Sequence, residues 1–299
     1  MCIFAENFIP MKLLMVLLQF TVMTYNVENL FDTHQDEGRL FKKIHNIMQV
    51  VASADELPGL VGLCEVENDS LLTRMTTGRY ARLNYGFIHF ESDDPRGIDV
   101  ALLYRRDMFG VDTAWQFAAM GIRRQMLYAR LLSRQGRTLH VVQAHLPSRR
   151  GGAVATSHLR ERCAATIHHL TDSIFATDAH AIIIVMGDMN DNPTDRSMSQ
   201  SLGALPANNE PVDTLLYNIC WRLQEEGRGS YYHQGEWSML DQIIVSGAAL
   251  SEFGWQAEVM DLEWLKEENG APRRCHKGDF YNGGVSDHFP VRAIGTCSP

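Results

Sequence analysis

The sequence predicts an α/β fold in one domain, with β-sheets covered by helices. Three observations predict it. Nine short runs rich in Val, Ile and Leu have the length and composition of strands. Two longer segments carry apolar residues at helical spacing. No Pro/Gly/Ser-rich linker, internal repeat or low-complexity tract divides the 299 residues. Some strand-like runs follow one another directly and others are separated by helices, a mixture that calls for sheets with helices packed on them.

From the N-terminus, residues 11–22 (MKLLMVLLQFTV) are apolar behind one lysine, like the short core of an export signal. The stretch is too short to span a bilayer, and no small-residue cleavage site separates it from TVMTYNVENLF. The preferred reading is a leader over residues 1–20 and one domain over 21–299. A degenerate export signal is the alternative, and a cytoplasmic location is preferred over export. The first strand covers 20–25. Residues 39–53 form the first helix, because Leu40, Phe41, Ile44, Ile47, Met48 and Val51 share one face. A strand at 60–64 follows, then two without an intervening helix at 85–90 and 99–104, and two more at 128–133 and 139–145. The second helix, 153–176, rests on Leu159, Cys163, Ile167, Leu170 and Ile174. Strands at 181–186, 240–245 and 291–294 complete the set.

A hydrophobic share of 45% against 21% charged residues is that of a folded globular chain. The net charge of −9 argues against a broad basic face that coats nucleic acid, while leaving room for a local basic pocket. Cys2, Cys64, Cys163, Cys220, Cys275 and Cys297 show no paired C-x-x-C spacing, so they signal neither a zinc knuckle nor a disulfide framework. No integral membrane contact and no protein partner are expected.

Polar residues follow the C-terminal ends of several hydrophobic strands, where α/β folds expose their chemistry. They are Asn26 and Glu28 after TVMTY, Glu65 after LVGLC, His145 after LHVVQA, Asp188 and Asn190 after AIIIVMG, and Asp287 with His288 in GVSDHFPV. Glu65 stands where an apolar strand stops and suits a hard cation. Magnesium, with manganese as a substitute, takes oxygen ligands and keeps several waters, so Glu65 with Asn26 and Asp287 suffices as the expected metal set. A solvated loop glutamate is the alternative for Glu65 alone. Gly187 permits a tight exit, and Asp188 and Asn190, two apart, project the same way. A carboxylate there can align or deprotonate a water for attack on phosphorus, and an amide can hold that water; an Asx-turn is the structural alternative. Working histidines need an orienting carboxylate. Asp241 in SMLDQIIVS is expected to pair with His288, and Asp99 in RGIDVALLY with His145, a buried bond to backbone being the alternative for each. HLPSRRGG adds Ser148, Arg149 and Arg150 as candidate phosphate ligands, or a solvated basic turn. Arg96, Arg123 and Arg124 add positive charge. Tyr231, Tyr232 and Trp237 can stack on a base or sugar or pack in the core, while His158, His168 and His169 read as surface or packing residues.

TYNVENLF, GLCEVE, GDMND and SDHFPV, in this order over roughly residues 21–294, resemble the endonuclease/exonuclease/phosphatase superfamily. The resemblance implies a four-layer sandwich, two mixed β-sheets face to face with helices outside, and magnesium-assisted hydrolysis of a phosphoester at one edge. It also implies roles: Glu65 as the metal carboxylate with Asn26 near the metal and phosphate and Glu28 behind them, Asp188 and Asn190 as the water-positioning pair, His288 as the catalytic histidine oriented by Asp241, and His145 as a second histidine. Apurinic-site endonucleases carry a tyrosine-containing motif where this chain has AHLPSRRGG, which argues against DNA repair. The expected partner is a phosphoester substrate, whether nucleic acid, nucleotide or small molecule. The rivals are a non-catalytic module that binds a phosphorylated ligand or a partner, and a lipid phosphodiesterase, for which no exposed apolar loop is identifiable.

Overall fold

The computed structural model describes residues 19–32, 36–54, 56–208, 210–278 and 280–296. Residues 1–18 of the expected leader, with Cys2 and Cys297, lie outside them. The other four cysteines are buried free thiols.

Two large mixed sheets form the body. The first has six strands in the order Gln256–Val259, Val291–Thr296, Gln19–Leu30, Leu60–Val66, Asp99–Arg105, Tyr85–His89. The second has seven, in the order Phe109–Phe117, Met126–Ser133, Thr138–His145, Ile182–Asp188, Asp241–Ser246, Leu216–Asn218, Leu205–Pro206. Each sheet contains a central parallel pair joined through a helix. Gln19–Leu30 and Leu60–Val66 are connected by Glu37–Ala52, and Thr138–His145 and Ile182–Asp188 by Ala153–Phe175. Parallel neighbours need such a crossover, and it makes the two strands of each pair end at the same edge.

Strand alternation explains the layers. In Ile182–Asp188, Ile184 and Met186 join the core shared with the first sheet, whereas Ile183 and Val185 join an outer core with Cys163, Ala164 and Ile167 of the second helix. Both faces are covered, so the strand reads as one apolar run. On the first sheet's outer side, Leu40, Ile44, Ile47, Met48 and Val51 pack down from Glu37–Ala52, whose first turn is capped by Asp36 accepting from Arg39 N at 3.0 Å. The result is a four-layer sandwich.

All nine expected strands and both expected helices are present. The strand expected over 181–186 instead runs through Asp188, which keeps that residue in register with its neighbours. The missed edge strand Phe109–Phe117 exposes Val111 and Trp115 and shifts register between Val111 and Thr113, so its alternation is broken. The missed helix Asp69–Thr76 has 8 residues, too few for a periodic signal, and is capped by Asn68 accepting from Leu71 N at 3.2 Å.

Candidate active site

Register assembles the centre of the site. Asp188 is the cross-strand partner of His145 on one side and of Asp241 on the other, which sets three ionisable residues in a row at the end of the second sheet. Gly187 makes this possible. Its φ is 144°, and a Cβ there would lie 1.8 Å from the Ala144 carbonyl oxygen, so no other residue fits without moving the backbone. The first sheet supplies Asn26, Glu28 and Glu65 at the same edge, and the SDHFPV segment supplies His288. All of these except Asp241 line one cavity of about 580 Å³. Six described non-glycine residues have left-handed φ, and five of them, Glu28, Asn29, Glu65, Asn190 and Gln234, line this cavity. Backbone strain is therefore concentrated where the polar groups converge.

Asn26 ties the sheets together. Its Nδ2 donates to Asp188 Oδ2 at 2.9 Å and, more weakly, to Glu65 Oε1 at 3.4 Å, while its Oδ1 accepts from Glu28 N at 3.0 Å. In this arrangement the Asn26 amide presents its nitrogen to the two carboxylates and its oxygen to the Glu28 N–H. Glu65 Oε2 accepts from Asn29 N at 2.8 Å, and Oε1 lies 3.9 Å from His145 Nε2.

His288 Nδ1 and Asp241 Oδ2 are 2.6 Å apart, and His288 Nε2 is 3.9 Å from Asp188 Oδ2. Burial alone would lower the His288 pKa, but Asp241, Asp188 and Asp287 outweigh it and raise it well above 6.5. Asp188 is pushed up to about 7, mainly by burial. His145 is driven well below 6.5, first by burial and then by Arg124, His288 and Arg96, so it is the neutral histidine of the pair. Its Nε2 lies 3.4 Å from Asp188 Oδ2.

Asp99 does not join His145, contrary to expectation. Its Oδ2 is 3.5 Å from His89 Nε2, and His89 Nδ1 is 2.7 Å from Asp69 Oδ1. The reason is lateral: His89 and Ala101 are cross-strand partners, two residues along from Asp99 on the same face, whereas His145 belongs to the other sheet. Asp99 lies outside the cavity lining.

Asp287, expected among the metal ligands, lines the cavity and accepts at Oδ2 from Arg274 Nη2 at 2.8 Å. Arg149 is likewise engaged, donating from Nε to Asn190 O at 2.7 Å and from Nη2 to Asp195 Oδ2 at 3.0 Å, so it braces a loop. Ser148 and Arg150 line the cavity, as do Arg96 and Arg124; Arg123 is exposed elsewhere. The Asn190 side chain donates to Leu146 O at 3.0 Å, and its backbone N–H donates to Asp188 Oδ1 at 2.9 Å. Underneath, the buried Arg160 reaches Asp191 Oδ2 at 2.7 Å and Pro147 O at 3.3 Å, joining the His145 and Asp188 loops. Tyr231 lines the cavity with its ring 4.8 Å from that of His288, and Trp237 stacks on Phe289 at 5.9 Å. Sequence reasoning missed Arg274, Arg160 and the buried Lys43. The only signal for the first was the pair Arg273–Arg274 in a loop shortly before SDHFPV.

Among the described residues no group of three or more His, Cys, Asp or Glu is arranged to hold a metal by itself. Oxygen donors nonetheless reach the cavity, led by Glu65, whose Oε1 has only the long contacts at 3.4 and 3.9 Å. That set fits a hard cation that keeps most of its waters.

A sequence model of the endonuclease/exonuclease/phosphatase family matches residues 36–294. Among curated protein sequences, none matches the chain. Among solved structures the chain is similar to humanized D. rerio TDP2, with TM-score 0.63 and 19% identity over 93% of this chain and 98% of that one. The human Nocturnin catalytic domain with bound sulfate gives TM-score 0.62 and 17% identity over 94% of each chain. A family protein from Bacteroides thetaiotaomicron gives TM-score 0.61 and 16% identity over 94% and 98%. At these identities the structural likeness establishes the fold.

Proposed function

The chain belongs to the endonuclease/exonuclease/phosphatase family, and we propose that it is a magnesium-dependent hydrolase of phosphoester bonds. The observation that carries this reading is the Asp188 carboxylate. It is buried, poised near pH 7, and placed within 2.9 Å of Asn26 Nδ2, 3.4 Å of His145 Nε2 and 3.9 Å of His288 Nε2.

A carboxylate with that pKa can accept a proton from an attacking water at neutral pH. The backbone N–H of Asn190 fixes Asp188 Oδ1, which leaves Oδ2 as the oxygen turned toward the other groups. His288, kept charged by Asp241, offers a proton from Nε2 to a phosphoryl oxygen or to the departing oxygen. Neutral His145 offers a second hydrogen bond without adding charge. Glu65 foremost, with Asn26, would hold the divalent ion, which when bound neutralises phosphoryl charge and polarises the P–O bond. Ser148, Arg150 and Arg96 supply anion-binding groups along one wall.

D. rerio TDP2 has been solved with a single-strand DNA product, so a single-stranded oligonucleotide is the first substrate to test beside bis-p-nitrophenyl phosphate. The purified chain should hydrolyse at least one of them with magnesium and neither after EDTA treatment. Asp188→Asn should lower kcat on the order of 10²- to 10⁴-fold with an unchanged melting profile. Metal-independent turnover, or full activity in Asp188→Asn, rejects the reading.

A further inference from the structure

Arg274 lines the same cavity as His288 and is a cation that the mechanism above does not use. Arg274 Nε donates to Glu28 Oε1 at 3.1 Å, and its Nη2 donates to Asp287 Oδ2 at 2.8 Å while lying 3.1 Å from Glu28 Oε1. Glu28 is itself immobilised. It is 7% exposed, its Oε2 accepts from Cys275 N at 2.8 Å, and its backbone oxygen accepts from the buried Lys43 Nζ. The guanidinium is therefore held on one edge by two carboxylates anchored in different segments of the chain.

The rest of Arg274 is accessible. Its side chain is 44% exposed, and it lines both the main cavity and an adjoining one of about 470 Å³. No hydrogen bond is made by Nη1 among the described residues. Glu28 and Asp287 against Arg274 and Lys43 make a set with no net charge when all four are ionised, so what remains to offer a ligand is a directed N–H donor rather than a diffuse field. A planar fork fixed along one edge is suited to a phosphate oxygen, and the ordering entropy of a long side chain has already been lost.

We propose that Arg274 is this chain's own phosphate-binding cation beside His288, and that Glu28 and Asp287 serve to hold that arginine rather than a divalent ion. The proposal rests on the phosphoester reading given above and adds a residue to it. Its consequence is a division of labour: Glu65 serves the metal, and Arg274 serves the phosphate.

Binding of inorganic phosphate, followed by calorimetry with and without magnesium, tests this apart from turnover. Arg274→Gln should weaken phosphate at least tenfold in both conditions, and Arg274→Lys should recover part of the loss. In Arg274→Ala, millimolar guanidinium should restore hydrolysis of bis-p-nitrophenyl phosphate, and urea at the same concentration should not. Asp287→Asn should leave manganese affinity, read by electron paramagnetic resonance, within threefold of the parent chain. It should also add nothing to the phosphate defect of Arg274→Gln. Phosphate affinity within twofold of the parent in Arg274→Gln would overturn the proposal, as would a tenfold loss of manganese in Asp287→Asn. If the parent chain turns over no phosphoester yet loses phosphate binding with Arg274, the reaction fails and the arginine site stands. Metal-dependent turnover with an indifferent Arg274 gives the reverse.

Discussion

Asp241 and His288 show what one buried carboxylate does for its neighbour. Asp241 is fully buried, and its Oδ2 lies 2.6 Å from His288 Nδ1, which fixes the ring's orientation and leaves Nε2 on the Asp188 side. An asparagine of the same shape would keep the packing but could present an N–H to Nδ1, favouring the wrong tautomer. Asp241→Asn is therefore expected to lower kcat on the order of 10²- to 10⁴-fold while leaving the fold intact, as steady-state hydrolysis of bis-p-nitrophenyl phosphate would show. A kcat within threefold of the parent would mean that the pair is structural. The substitution is informative because Asp241 does not line the cavity and acts only through His288.

Between elements, the site depends on loops that leave parallel strands side by side. His145 and Asp188 end neighbouring strands, and the two loops that follow are cross-braced from below by Arg160, 1% exposed, on the helix that joins those strands. Arg160 reaches Asp191 Oδ2 at 2.7 Å, Thr156 Oγ1 at 2.9 Å, and the carbonyls of Pro147 and Ala153 at 3.3 and 2.7 Å. Removing the arginine strands Asp191, whose remaining side-chain partners are Ser197 Oγ and the distant Arg149. Arg160→Met should destabilise the protein by about 3–5 kcal/mol. The double variant Arg160→Met, Asp191→Leu should recover much of that loss, both read from urea midpoints. Equal stability of the single and double variants would show that the charge on Asp191 is not what the arginine offsets.

For the molecule as a whole, the Asp69, His89 and Asp99 cluster joins the Asp69–Thr76 helix to two strands of the first sheet, outside the cavity lining. Burial lowers the His89 pKa, but hydrogen bonds and charge from Asp99 and Asp69 outweigh it and raise the value above 6.5. A folded pKa above the unfolded one means that the contribution is fully present below about pH 6.5 and is lost as pH rises through the folded value. His89→Gln should therefore cost more stability at pH 5.5–6 than at pH 9, measured by denaturant unfolding of both proteins. A pH-independent difference would show that His89 is neutral in the folded chain.

Local chemistry in the sequence determined a good deal. Apolar runs with branched side chains marked nine strands, helical spacing marked the two crossover helices, and polar residues after those runs marked Asn26, Glu65, His145, Asp188 and His288 as neighbours of one cavity. These were legible because strand period, helix period and strand-end chemistry are properties of consecutive residues. Of the partnerships across the sheets, only that of Asp241 with His288, 2.6 Å apart, was legible. Register set Asp188 between His145 and Asp241 and placed Asp99 beside His89. Loop packing turned Asp287 toward Arg274 and Arg149 toward the Asn190 carbonyl. Which charges meet is decided by residues tens to hundreds of positions apart, through backbone register and burial, and only the tertiary structure brings those distances to a few ångströms.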